Sequence, residues 1–208
     1  MEKSSTREEI LEIALDLFSV NGYEATSISQ IADAVGIRKA SLYSHFGSKQ
    51  EIMDSVMEMV LSGFEESPML SGAAREDPGY AKDWKGMSAE TAAKLIQEEI
   101  RSVLHHPVIG RGRRMLTIEQ FRNEELSMLQ TGTGYVNILR YFEGMVGSLR
   151  ESKKLRGEDR EIMAVQLASP VMAWISLCDR EQDREDEVME LVERHVLQFF
   201  KVYGQKAK

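Results

Sequence analysis

Residues 27–46 read S-I-S-Q-I-A-D-A-V-G-I-R-K-A-S-L-Y-S-H-F, and no other stretch of the chain narrows the possible folds as far. Ile28, Ile31, Ala32 and Val35 recur at three- and four-residue spacing, which places them on one face of a helix. Ser27 followed by Gln30 forms a capping box and marks where that helix starts. Gly36 stands where it ends, because glycine accepts the left-handed conformation a helix terminus needs. Ile37 then turns inward, and a second helix carries Leu42 and Phe46 on its buried side. Ser41, Tyr43, Ser44 and His45 lie between them, next to Arg38 and Lys39. Two helices about a glycine turn, the second polar and partly basic outside, form the helix-turn-helix pattern. A helical hairpin buried in a bundle would need apolar residues at 41, 43, 44 and 45.

The surrounding residues extend the pattern. Gly22-Tyr23-Glu24-Ala25-Thr26-Ser27-Ile28, Ile31-Ala32, Ala34-Val35-Gly36-Ile37 and Leu42-Tyr43-Ser44-His45-Phe46-Gly47-Ser48-Lys49-Gln50-Glu51 follow one another in register. Together they resemble the N-terminal domain of the TetR/AcrR family of bacterial transcriptional regulators. The resemblance covers about the first quarter of the chain; the remainder is compatible with the family's helical ligand-binding and dimerisation domain. It implies that Lys39, Tyr43, His45 and Lys49 hold DNA phosphates, while Ser41 and Ser44 face the major groove. Thr26 and Ser27, at a helix N-terminus, suit phosphate through hydroxyls and backbone N–H groups. Arg38 departs from the family, which often has Ser or Thr at this capping position. Two roles are open to it: a bidentate contact to guanine, or a contact along the phosphates.

Net charge by itself argues against nucleic acid, since the 208-residue chain carries −8. Residues 1–54 hold five basic and nine acidic side chains. Placement resolves the conflict: Arg38, Lys39 and Lys49 cluster around the second helix. A small positive face on an acidic body binds DNA of arbitrary sequence weakly and depends on correct geometry.

The rest of the chain reads as all-α, with few prolines and almost no alternating pattern. A DNA-binding domain at 1–50 and a helical effector and dimer domain at 51–208 are expected. Thr6-Arg7-Glu8-Glu9 reads as the capping box of the first helix. A fourth helix runs from near Ser48 to about Glu66, linking the DNA-reading segment to the body. Residues 67–87 break the periodicity, as either a surface loop or a flap over a pocket, with Tyr80 and Trp84 inside it. Ser88 caps a helix, Pro107 suits the first turn of the next, and that helix carries Met115, Leu116, Ile118 and Phe121. Thr131-Gly132-Thr133-Gly134 predicts a break or sharp kink. Asp159 caps a helix over about 160–178 that Pro170 should bend, and a last helix covers about 184–203.

Met57, Phe64, Met115, Tyr135, Phe142, Met145 and Trp174 lie on helices that converge in the family fold, and so outline a candidate effector pocket. Methionine adapts to varied apolar shapes, which suits a hydrophobic or aromatic ligand; the competing reading is plain core. Small residues at Ala164, Ala168, Ser169 and Ala173, with Leu191, His195 and Phe199 on the last helix, predict a homodimer through a four-helix interface.

No catalytic residue, cofactor or metal is expected. His105 and His106 are adjacent on a helix and diverge by about 100°, poor geometry for sharing an ion. Cys178 lies among Trp174, Ile175 and Leu177 with no evident base. One cysteine excludes an intrachain disulfide framework and fits the cytoplasm. Neither a signal peptide nor an apolar run approaching a membrane span is expected. The implied function is a dimeric repressor that leaves double-stranded operator DNA when a small-molecule effector binds. Rival readings are a regulator that is constitutive or controlled by a partner, and an enzyme on a borrowed fold.

Overall fold

The computed structural model describes residues 5–72, 84–157 and 159–205. These form ten α-helices: α1 (Thr6–Asn21), α2 (Ile28–Val35), α3 (Lys39–Tyr43), α4 (Lys49–Glu65), α5 (Ala89–His105), α6 (Ile109–Glu119), α7 (Glu124–Thr131), α8 (Asn137–Glu151), α9 (Arg160–Cys178) and α10 (Glu185–Tyr203). Among the described residues the only β-type pairing is an isolated bridge between Leu155 and Gly204. The all-α expectation holds.

The sequence reading divides the chain at residue 50, whereas the compact units are drawn otherwise. One runs through Gly63 and takes in Pro107–Gln130; the other comprises Phe64–His106 and Thr131–Lys208. The boundary falls inside α4, so one continuous helix passes from the first unit into the second.

In the first unit, α1 packs on α2 and on α6. Ile10, Ala14, Leu15, Phe18, Ile31, Leu42, Phe46, Ile52 and Val56 are buried there. These positions, drawn from α1 to α4, make a small core, and α6 adds Met115 and Leu116 to the buried set. The N-cap of α1 is Ser5, one residue before the predicted Thr6: its hydroxyl accepts the Glu8 N–H, and the Glu8 carboxylate accepts the Ser5 N–H. Phe121, predicted to face inward, is 91% exposed, because α6 ends at Glu119 and its periodicity ends with it.

In the second unit, α8 packs on α9, and α10 packs on α5 and α9. Ser88 and Asp159 cap α5 and α9 as expected, accepting from Thr91 and Ile162 N–H groups. The predicted break at 131–134 is instead a π-helical turn over Gly132–Val136 that leads without interruption into α8. A π turn inserts one extra residue per turn and so re-aims the side chains after it. Asn137, the first residue of α8, donates to the Leu70 carbonyl at 2.6 Å.

Helix α9 overturns one expectation. By length and composition it is apolar enough to cross a membrane, although the sequence reading found no such run. Its buried residues, Met163, Ala164, Leu167, Ala168, Val171 and Ile175, make it a core helix of this unit. Of the 67–87 segment, Tyr80 and most of the proposed flap lie outside the described residues. Trp84 is buried, its ring meeting Tyr141 edge-on at 5.8 Å.

Candidate nucleic-acid interface

The capping box at the start of α2 is complete. Ser27 Oγ accepts the Gln30 N–H at 3.2 Å, and Gln30 Oε1 accepts the Ser27 N–H at 2.7 Å. At the other end Gly36 adopts φ 80°, ψ 25°, the left-handed cap that glycine permits without a Cβ clash. The Gly36 and Ile37 N–H groups satisfy the Asp33 and Ala32 carbonyls. Helix α3 then starts at once, held by Leu42 and Phe46, both buried.

That anchorage leaves a continuous outer face. Arg38, Lys39, Ser41, Tyr43, Ser44 and His45 are all exposed. Arg38 occupies the N-cap of α3 and makes no side-chain capping bond. The residue type is the reason: guanidinium has no acceptor for the free N–H groups of the first turn. Its side chain is thereby left to reach outward. Ser44 donates its hydroxyl back to the Ser41 carbonyl at 2.6 Å, which closes the end of the short helix. The face gathers three cationic or potentially cationic side chains and three hydroxyls, the mixture that reads phosphates and base edges.

Two expected phosphate donors are engaged internally. Thr26 is 1% exposed, and its hydroxyl donates to the Gly22 carbonyl at 2.8 Å. Its side chain therefore closes the turn between α1 and α2 and is not presented at the surface, a correction to the sequence reading. Ser27 is exposed, but its hydroxyl serves the cap. The start of α4 is similar. Ser48 Oγ accepts the Glu51 N–H at 3.1 Å, and the Glu51 carboxylate accepts the Gly47 N–H at 2.7 Å. The Lys49 ammonium at this helix start lies 4.0 Å from the centroid of the Tyr23 ring. Arg7 is also committed: its guanidinium covers the Phe46 ring at 4.6 Å and donates to Ser55 Oγ at 3.2 Å.

Tyr23, one of the residues that carry the resemblance, adjoins Lys49. Its hydroxyl donates to Gln50 Oε1 at 3.0 Å. Partial burial, reinforced by the negative charges of Glu24 and Asp54, pushes the phenol above its ordinary range, so it remains a neutral donor. The signal available in the sequence was its spacing from Lys49, which only a known helix arrangement converts into contact.

The candidate pocket residues divide between the units. Met57 and Met115 belong to the first; Phe64, Tyr135, Phe142, Met145 and Trp174 belong to the second. Met115, Phe64, Phe142 and Met145 are buried, Met57 and Trp174 half-buried, and Tyr135 exposed. Trp174 meets the His195 ring edge-on at 5.6 Å, and His195 Nε2 lies 3.2 Å from the Leu167 carbonyl. The second unit also contains a polar pair that periodicity could not reveal. Glu99, buried on α5, accepts from the Ser67 hydroxyl at 2.8 Å and the Met69 N–H at 3.2 Å. Among the described residues the buried Tyr141 hydroxyl has no hydrogen-bond partner. Burial, and then the charge of Glu99, push that phenol far above its ordinary range.

Of the candidate dimer residues, Ala164, Ala168 and Phe199 are buried within their own chain and so cannot meet a partner, which corrects that assignment. Ser169 and Ala173 are exposed, and Leu191 and His195 half-buried. His105 and His106 turn to different carboxylates, Glu185 at 2.9 Å and Glu66 at 3.3 Å.

Comparison with known proteins agrees with this geometry. Residues 10–56 match the bacterial regulatory proteins of the tetR family. The repressor KstR2 of Rhodococcus jostii is 47% identical over 115 residues, which cover 49% of this chain and 53% of KstR2. The regulator TcmR of Streptomyces glaucescens is 35% identical over 89 residues, 38% of this chain and 39% of TcmR. The chain thus spans about half the length, or less, of these curated relatives. Over nearly the full chain the fold is that of SmeT, the repressor of the Stenotrophomonas maltophilia multidrug efflux pump SmeDEF. There the TM-score is 0.62 at 18% identity, covering 98% of this chain and 93% of SmeT. Residues 10–56 thus match the tetR family of bacterial regulatory proteins, and the all-helical fold of the chain is shared with SmeT.

Proposed function

We propose that the chain is a cytoplasmic, dimeric DNA-binding transcriptional repressor, released from its operator by a small hydrophobic or aromatic effector. The observation that carries the DNA-binding part is the outer face of α3. Leu42 and Phe46 fix the helix, while Arg38, Lys39, Ser41, Tyr43, Ser44 and His45 are all presented to solvent. A five-residue helix is short enough to enter a major groove end-on, with flanking cations against the phosphates. A two-fold dimer presents two such helices to successive grooves.

The same reading assigns the effector to the helical body. Supporting it are the methionine and aromatic side chains around α8 and the unpartnered Tyr141 hydroxyl, which offers an apolar ligand one polar point of attachment. Effector binding then acts as a population shift, favouring a conformation in which the two recognition helices no longer match the operator. Because α4 is one unbroken helix across the boundary of the two units, it is the covalent route for that shift.

The test is selection of bound fragments from genomic DNA with the purified protein, followed by footprinting. A few enriched fragments sharing an inverted repeat are expected, with binding abolished by Lys39→Ala combined with His45→Ala. Equal recovery of all fragments by wild type and variant overturns the reading. Ligands that raise the melting temperature should also lower operator affinity, and by linkage DNA must weaken ligand binding by the same factor.

A further inference from the structure

Glu119, the last residue of α6, is 3% exposed. Its Oε1 accepts the Tyr23 backbone N–H at 2.8 Å, across the turn between α1 and α2. Gly22 permits this approach. A Cβ there would lie 2.8 Å from the same oxygen, and its φ of +80° already favours glycine. One buried carboxylate of α6 therefore grips the turn by a charge-assisted bond.

Tyr23 hands that grip on. Its ring packs against Phe18 at 5.6 Å and lies under the Lys49 ammonium at 4.0 Å. Its hydroxyl donates to Gln50, whose own amide donates to Asp54 at 2.8 Å. A ring face attracts one side of an ammonium and leaves its other N–H donors outward. The Glu51 carboxylate occupies the nearby Gly47 N–H, and Lys49 supplies the cationic side chain at this helix start.

We propose that Glu119 and Tyr23 are positioning residues for DNA-backbone binding. Glu119 fixes Tyr23, the Tyr23 ring holds Lys49 where a phosphate arrives, and α6 thereby sets the strength of that contact. The inference rests on the DNA-binding reading above and adds to it a regulatory lever outside α3. A change in the chain that withdraws the end of α6 weakens phosphate binding without altering any residue that faces a base.

The experiment measures binding of the full chain to a genomically selected duplex and to its scrambled version, at several salt concentrations. The variants are Lys49→Ala, Glu119→Ala, Glu119→Gln, Tyr23→Leu, Tyr23→Phe and the double variant Glu119→Ala/Lys49→Ala. Glu119→Ala and Tyr23→Leu should weaken both duplexes by a similar factor. Each should flatten the salt dependence by about one counterion, as Lys49→Ala does. Glu119→Gln keeps an acceptor oxygen and Tyr23→Phe keeps the ring, so both should retain the wild-type salt slope. In the Lys49→Ala background, Glu119→Ala should cost nothing further, because the contact it supports is already gone. Additive losses, or an unchanged salt slope, overturn the proposal. If Glu119→Ala does not fold, Tyr23→Leu, which preserves the backbone bond, decides in the same cycle with Lys49→Ala. Wild-type protein that binds neither duplex sinks the DNA-binding reading and this inference together; normal wild-type binding with an additive cycle sinks this inference alone.

Discussion

Gly112 on α6 and Val60 on α4 approach so closely that a Cβ on Gly112 would lie 2.5 Å from Val60 Cγ1. Valine is β-branched and stiff at χ1, so it cannot swing aside cheaply. Gly112→Ala should therefore destabilise the protein by about 1–3 kcal/mol through overpacking, despite the better helix propensity of alanine. Thermal unfolding measures this directly. The double variant Gly112→Ala/Val60→Ala should recover part of the loss; no recovery would mean that the strain is relieved somewhere other than at Val60.

The dimer assignment yields a paired prediction on α9. Ala168 is fully buried, so Ala168→Glu places a charge in the chain's own core and should abolish folding as seen by circular dichroism. Ala173 is exposed, on a face with Ile162, Gln166 and Ser169 at helical spacing. Less than half of the apolar window of α9 is buried within the chain, and this exposed face of small and polar side chains leaves room for the close approach of a second helix. Ala173→Glu should thus stay helical yet sediment as a monomer. A fully dimeric Ala173→Glu would move the interface off α9.

Tyr141 gives a prediction in pH. A buried hydroxyl with no partner among the described residues is destabilising, so Tyr141→Phe should raise stability by about 1 kcal/mol. The folded phenol titrates well above the ordinary value of about 10. Its contribution is therefore whole below about pH 10 and is lost as pH rises further, because the unfolded chain releases that proton first. Tyr141→Phe should retain more of its stability above pH 10 than wild type. The check is denaturant unfolding at neutral and alkaline pH; parallel losses in the two proteins would show that the phenol is not held in its neutral form. If the hydroxyl also serves an effector, the same variant loses ligand affinity while gaining stability.

Arg38 and Lys49 should respond differently to alanine. On the reading proposed above, Lys49 acts on a phosphate, so its loss should weaken all sequences alike. Arg38 has no cap to make and is exposed at the start of α3, and we propose that its guanidinium contacts guanine O6 and N7. Arg38→Ala should flatten preference at one base pair of each half-site, at a cost of about 1–3 kcal/mol in discrimination. Binding to a library of singly varied operators reads this out. Intact preference with a reduced salt slope would make Arg38 a phosphate contact and leave specificity to Ser41, Ser44 and DNA shape.

Much of the first unit was legible because its signals are local. The Ser27–Gln30 capping box, the Gly36 terminus and the outward polar run from Ser41 to His45 each depend on residues within four positions of one another. Short-range hydrogen bonds and the helical period translate such spacing into geometry directly. Where a second local solution existed, the reading slipped by one residue, as at Ser5, which caps α1 in place of Thr6. At 131–134, two glycines were read as a break, yet the backbone absorbs them in a π turn. Glycine only permits a departure from the helix; the neighbouring turns decide whether one occurs.

The sequence by itself determined the helix-turn-helix, most of the other helices and the side of α3 that faces out, since these follow from periodicity and caps; α7 it did not reveal. Only the tertiary structure decided which small residues of α9 are core and which are surface, because Ala164, Ala168, Ser169 and Ala173 all fit an apolar helix equally well. It alone decided that Thr26 turns inward to Gly22 and that Glu119 reaches Tyr23 from 96 residues away. Contacts across such separations depend on how helices cross, and a linear pattern does not encode the crossing: side-chain packing does, once the whole chain has closed around it.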